Sequence, residues 1–134
     1  MNALELLNEK HIRLSGLRVK ILDYLLTHRT HPTIDEIYGE LIKDNPTLSK
    51  TTVYNTVKVL EENGLAKAVT IDGDRIHYDG DVSYHGHFLC KNCNKIYDFD
   101  TSCVPVKPPE GFKAETADVY CTGNCSNCSK NKKF

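Results

Sequence analysis

Two C-x-x-C pairs, Cys90-Lys-Asn-Cys93 and Cys125-Ser-Asn-Cys128, constrain this chain more than any other feature. A C-x-x-C lets two thiolates take adjacent corners of a tetrahedron. Two such pairs across an intervening segment describe a closed, structural Cys₄ zinc site without an open coordination position. The constraint is energetic as well as geometric. Residues 85–134 hold few aliphatic side chains, and Pro105, Pro108 and Pro109 leave no room for a useful helix between residues 101 and 111. A unit this small lacks a sufficient core and needs a metal staple. Just before the first pair stands His85-Gly-His87. Residues two apart on a strand point to one face, so these imidazoles can share an ion or lie on the surface as two ordinary histidines.

The length of 134 residues suits one domain of ordinary size or two small ones. No apolar run approaches the roughly 18 residues of a membrane span. Acidic residues from Glu5 onward, with no small-residue cleavage site, argue against a signal peptide. The expectation is a cytoplasmic protein with no membrane association, whose six cysteines serve as metal ligands rather than disulfides. A formal net charge of −1 does little for nucleic-acid binding. Four thiolates around Zn²⁺ would make it about −3. Any claim on DNA must therefore rest on local arrangement.

That arrangement lies in the first half. A short opening helix around Leu4, Leu6 and Leu7 is followed by a second helix capped by Ser15, with Leu17, Ile21, Tyr24 and Leu25 on its apolar face. Thr33-Ile-Asp-Glu36 is a capping box for a third helix, which Asn45-Pro46 stops. A fourth runs from its cap at Ser49 to about Asn63, with Gly64 as a left-handed stop. It buries Val53, Val57 and Leu60 and presents Lys50, Thr51, Tyr54, Asn55 and Lys58 on the opposite face. Such a face supplies charge for phosphates, donors and acceptors for base edges, and an apolar body for the thymine methyl. Taken alone it is also what a solvated helix carries. Two β-rich runs, 65–71 and 75–78, flank the turn Asp72-Gly73-Asp74 and predict a hairpin. Helices followed by a hairpin make a winged helix. The division that follows is a winged-helix DNA-binding domain over 1–78, a hinge linker over 79–84, and a metal-binding dimerisation domain over 85–134 with strands at 86–89, 95–99 and 113–120. The fold class is α+β, the second domain small, mostly β and stapled by zinc.

Together His31-Pro-Thr-Ile-Asp-Glu-Ile-Tyr38, Thr51-Thr-Val-Tyr54 and His85-x-His87-x-x-Cys90-x-x-Cys93 resemble the ferric uptake regulator family of metal-dependent repressors. Among its branches the chain looks most like the peroxide-sensing repressors. The resemblance implies a regulatory site of three histidines and two aspartates, which fall on His31, Asp79, His85, His87 and Asp98. Iron-sensing members more often place glutamate where Asp79 and Asp98 stand. Such a ligand set favours Fe²⁺ or Mn²⁺ over soft-ligand metals. The resemblance further implies a homodimer on a pseudo-palindromic double-stranded DNA operator, and carries Arg13 and Arg18 over as DNA backbone contacts. Leu17 stands where the family usually has glutamine. The interface helix usual between the last two strands is replaced here by the proline-containing 101–111 segment.

The function these features imply is a metal-dependent transcriptional repressor that answers peroxide through iron-catalysed oxidation of ligand histidines, and not an enzyme. The nearest alternative is the same fold sensing iron or zinc supply. A small metallohydrolase would need a paired general base such as H-x-E or H-E-x-x-H, and none stands in the sequence. Another alternative is an electron-transfer iron protein. Cys121-x₃-Cys125-x₂-Cys128 matches a [4Fe–4S] spacing, but using it would orphan Cys90 and Cys93. Cys103 and Cys121 are left as free thiols or substitute ligands of no assigned role.

Overall fold

Side-chain caps set where the helices begin. The computed structural model describes residues 1–131. Four helices occupy the first half: α1 (Ala3–Glu9), α2 (Gly16–Thr27), α3 (Ile34–Leu41) and α4 (Lys50–Glu62). Ser15 Oγ accepts from the Arg18 N–H at 3.1 Å, and Ser49 Oγ from the Thr52 N–H at 3.1 Å. Thr33 and Glu36 exchange the reciprocal bonds of a capping box. Past α4, Gly64 takes φ 72°, the left-handed stop that a Cβ would disfavour. One stop differs from expectation. α3 ends at Leu41, not at Asn45-Pro46, because the Asn45 side-chain amide donates to the Leu41 carbonyl at 2.9 Å and turns the chain early.

The chain divides into two compact units, the first being Met1–Val82 and the second beginning at Ser83. In the first, Leu7 of α1, Ile21, Leu22 and Leu25 of α2, Ile37 of α3, and Val53, Val57 and Leu60 of α4 form one buried cluster. Each such aliphatic side chain contributes about 1.5–3 kcal/mol on burial. Strands β1 (Lys67–Asp72) and β2 (Arg75–Asp79) pair antiparallel as the wing. Leu65 and Ala66, expected to open the first strand, pack into the helical core instead. Asp79, placed in the linker from sequence, closes β2 opposite Lys67. The loop before α3 joins the wing through a bridge between Thr33 and His77 and a bond from the Tyr78 N–H to the Pro32 carbonyl at 2.9 Å.

The second unit is a three-stranded sheet in the order β4-β3-β5, made of β3 (Gly86–Cys90), β4 (Ile96–Phe99) and β5 (Val119–Gly123), followed by α5 (Ser126–Asn131). β5 runs parallel to β3, which demands the long connection that residues 100–118 supply without helix or strand. The last strand was expected at 113–120 and lies later. Its position follows from the open edge of β3, which pairs Gly86 with Val119 through Cys90 with Gly123. α5 was not expected at all: it is short, polar and without an apolar period. Among the described residues of this unit the buried apolar side chains are Leu89, Cys90, Cys125 and Cys128. Among the described residues, no helix is long and apolar enough to cross a membrane.

Gly86, between the two histidines, lies against the ring of Phe99, into which a Cβ would run. Gly86→Ala is expected to lower the unfolding free energy of the second unit by about 1–3 kcal/mol, as overpacking does. Denaturant unfolding of the full chain checks this, with Gly16→Ala as control because its Cβ meets nothing within 4 Å.

Candidate metal centres and nucleic-acid surface

Four sulfurs converge at the end of the second unit's sheet. Cys90 ends β3, Cys93 lies in the turn before β4, Cys125 just precedes α5, and Cys128 is in it. Their Sγ atoms all lie within 4.8 Å of one another, with Cys93 and Cys125 at 3.9 Å. Thiolates about 2.3 Å from a tetrahedral zinc stand about 3.8 Å apart. None of the four is in a disulfide. The backbone N–H groups of Cys93 and Cys125 donate to Cys90 Sγ at 3.5 and 3.3 Å, lowering its pKa to about 6. Cys125 is lowered first by the Cys128 N–H and then by the Tyr97 hydroxyl. The donated bonds hold the Tyr97 phenol well above its usual range, Cys125 foremost. On Cys128 the pull of Asn92 is outweighed by the Cys125 and Cys90 sulfurs, and its pKa rises to about 11. The last thiol to ionise thus keeps its proton by donating it to the neighbouring sulfurs, a proton that a divalent cation would displace. The cluster fits zinc.

The first unit pairs His31 with Asp79. The His31 Nε2 lies 3.3 Å from Asp79 Oδ2, and both side chains are 2% exposed. The other Asp79 oxygen accepts the Asp81 N–H at 2.8 Å and stands 3.6 Å from the Arg29 guanidinium, so Oδ2 is the atom turned to the imidazole. Gly80 keeps this corner tight, since a Cβ there would stand 2.7 Å from the Leu25 carbonyl oxygen.

In the second unit His85 and His87 share one face, their ring centroids 4.5 Å apart. Asp98 lies opposite His87 in the β3–β4 register, and its Oδ1 is 3.3 Å from His85 Nε2 and 3.4 Å from His87 Nε2. The His85 tautomer is set by its neighbour. Nδ1 is 2.8 Å from the Ser83 carbonyl, which only accepts, so the ring donates there and Nε2 is the nitrogen turned to Asp98. Nε2 of both histidines and Asp98 Oδ1 are thus the atoms that could ligate one cation. Imidazole and carboxylate donors without thiolate suit Fe²⁺ or Mn²⁺.

Back in the first unit, α4 turns Lys50, Thr51, Tyr54, Asn55 and Lys58 to solvent while Val53, Thr56, Val57 and Leu60 are buried. The two lysines do not stand alone. Lys50 Nζ is 2.8 Å from Asp35 of α3, and Lys58 Nζ is 3.3 Å from Glu61. Arg18 donates to the Arg13 carbonyl at 2.7 Å and so shapes the turn into α2, while Arg13 itself is exposed.

The sequence pattern of the "Ferric uptake regulator family" matches residues 9–120, most of the chain. The chain belongs to the ferric uptake regulator family. Among its family relatives, the "Peroxide operon regulator" of Bacillus subtilis (strain 168) is 38% identical over 133 residues, spanning 96% of this chain and 92% of that protein. The structure of PerR from Streptococcus pyogenes, solved for peroxide sensing and gene regulation, aligns at TM-score 0.55 with 32% identity, over 96% of this chain and 94% of that one. The ferric uptake regulator of Pseudomonas aeruginosa with manganese aligns at TM-score 0.76, over 94% and 99%. Its identity of 20% makes that a likeness of fold.

Family motifs in the sequence did not reveal the residues that orient these ligands. Ser83 sets the His85 tautomer through a backbone carbonyl, which no motif can carry. Arg29 and Asp81 brace Asp79 from positions whose side chains read as ordinary surface charge. Tyr97 reaches the cysteine sulfurs from β4. The Cys125 N–H reaches Cys90 Sγ across 35 residues.

Proposed function

We propose that this member of the ferric uptake regulator family is a metal-dependent transcriptional repressor, not an enzyme, that releases DNA when peroxide oxidises it. The observation that carries this reading is the separation of two donor sets. Four thiolates suit a permanent Zn²⁺. Three imidazoles and two carboxylates suit an exchangeable Fe²⁺ or Mn²⁺.

His31, Asp79, His85, His87 and Asp98 would together hold the regulatory ion, summing to zero charge with it and leaving iron one open position. Residues 1–78 would then bind DNA, 79–84 act as the hinge, and 85–134 dimerise. Ligands drawn from both sides of the hinge let an ion favour one arrangement of the two domains, by as much as it prefers that arrangement. Val104, Val106 and Phe112, 47%, 48% and 70% exposed in the second unit, are apolar surface that a second copy would cover. Two copies would set two α4 helices in successive major grooves of a pseudo-palindromic operator in the cytoplasm. Exposed ion pairs such as Lys50–Asp35 are weak and screened by solvent, so phosphates can displace the acids.

The test is binding of the manganese-loaded protein to palindromic duplexes selected from a random pool, against metal-free protein and random DNA. Tyr54→Ala is expected to cost about 1–3 kcal/mol of discrimination. Lys58→Ala should weaken cognate and random DNA alike, with the salt slope reduced by about one. Asp35→Asn should strengthen both and steepen the slope, because it releases Lys50. Equal loss on both DNAs for Tyr54→Ala would place the recognition face elsewhere, and affinity indifferent to metal would end the repressor reading. A supply sensor of the same fold would bind DNA with metal and ignore peroxide.

A further inference from the structure

We propose that His77 is a positioning residue that locks the backbone of His31 to the wing, so that wing geometry sets the readiness of that ligand. The inference rests on the reading of His31 as a ligand and goes beyond the family's ligand set, to which His77 does not belong. His77 lies on β2 and is 6% exposed. Its ring spans two partners. Nδ1 is 2.6 Å from the His31 carbonyl oxygen, and Nε2 is 2.8 Å from Asp72 Oδ2 at the end of β1.

What the first contact holds is unusual backbone. His31 has φ 55°, the left-handed region that non-glycine residues rarely adopt, and it stands directly before the buried Pro32. A residue there needs its surroundings to fix it. His77 supplies the fixing at the His31 carbonyl itself, and the Thr33–His77 bridge and the Tyr78 N–H on the Pro32 carbonyl continue the seam. The His31 side chain then points at Asp79, two residues beyond His77 on the same strand, with Nε2 3.3 Å from Oδ2. One strand therefore carries both a ligand and the group that orients its partner. Asp72 ties the same ring to the wing turn, where Asp72 pairs with Arg75. Order in the wing and order at His31 share one side chain. By linkage, an ion that needs His31 in place also steadies the wing.

The experiment measures Mn²⁺ binding to the full, zinc-containing chain, with free Mn²⁺ read from its EPR signal. Folding is followed by far-UV circular dichroism. His77→Gln is expected to weaken Mn²⁺ about tenfold, and Asp72→Ala at least threefold, in protein that is folded at the temperature of measurement. Ile21→Val, a core trimming in α2 away from this seam, is expected to lower thermal stability and leave Mn²⁺ affinity unchanged. If His77→Gln does not fold, Asp72→Ala decides by the same criterion. Wild-type affinity in either folded variant overturns the proposal, as does an equal loss in Ile21→Val. A different result marks failure of the underlying reading: wild-type protein that takes no Mn²⁺, or His31→Ala that binds as the wild type does. That result removes His31 as a ligand and this inference with it.

Discussion

Cys90→Ser is expected to cost the protein its second unit. Wild-type protein should retain about one zinc per chain through mild chelation, and the variant should lose it. Backbone amides over residues 83–131 should then exchange with solvent as in an unfolded chain. The magnitude follows from what else holds this unit together. Its one buried aliphatic side chain among the described residues is Leu89, which contributes about 1.5–3 kcal/mol. Structural zinc contributes about 10–16 kcal/mol in small zinc-finger peptides at neutral pH. Cys90 is also the sulfur that accepts two backbone N–H groups, one of them 35 residues away, so its loss unpicks the junction of β3 with the start of α5. Cys103→Ser and Cys121→Ser, at exposed positions, should leave zinc and exchange unchanged. A Cys90→Ser protein with wild-type zinc content and unfolding profile would remove the structural site.

The second large effect is chemical. Iron-loaded protein given stoichiometric hydrogen peroxide should gain one oxygen on His31 or His85 and lose at least about tenfold in DNA affinity, since removal of even supporting groups around a metal costs 10–100-fold. The balance is simple: one peroxide oxygen enters an imidazole C–H bond, and the other leaves as water. Bound Fe²⁺ supplies the redox chemistry that activates peroxide. In the proposed site the protein's part would be to hold imidazoles beside it, His85 by its bond to Ser83 and His31 by its left-handed backbone. The oxidised ring would be a poorer ligand for the proposed ion, and DNA binding that depends on that ion would weaken. Manganese-loaded protein should stay unmodified and bound. Cysteine is the rival target, because Cys103 and Cys121 are exposed free thiols. Peptide mass spectrometry separates the two. Oxygen on cysteine alone, or equally in the iron and manganese forms, would leave a thiol sensor or a plain iron regulator.

The mismatches between sequence and structure have one origin. Ser15, Thr33 and Ser49 bond to groups three residues away, so the helix starts were legible from a few letters. The strand expected at 113–120 failed because strand position is a pairing property, set by the open edge of β3 rather than by residues 113–118. The lysines of α4 read as ready phosphate contacts. The fold brings Asp35 of α3 to Lys50, which changes what a mutation there should do.

The sequence by itself determined the chemistry this protein can perform. It holds four thiolates at C-x-x-C spacing, two imidazoles on one strand face, and a polar helix face before a hairpin, because each is written in residues adjacent along the chain. Only the tertiary structure decided how those groups are aimed. The His31 carbonyl meets His77 across 46 residues, and the His85 tautomer hangs on a backbone carbonyl that any residue would supply. Backbone groups and distant partners leave no mark in local composition, so orientation appears only once the chain has folded.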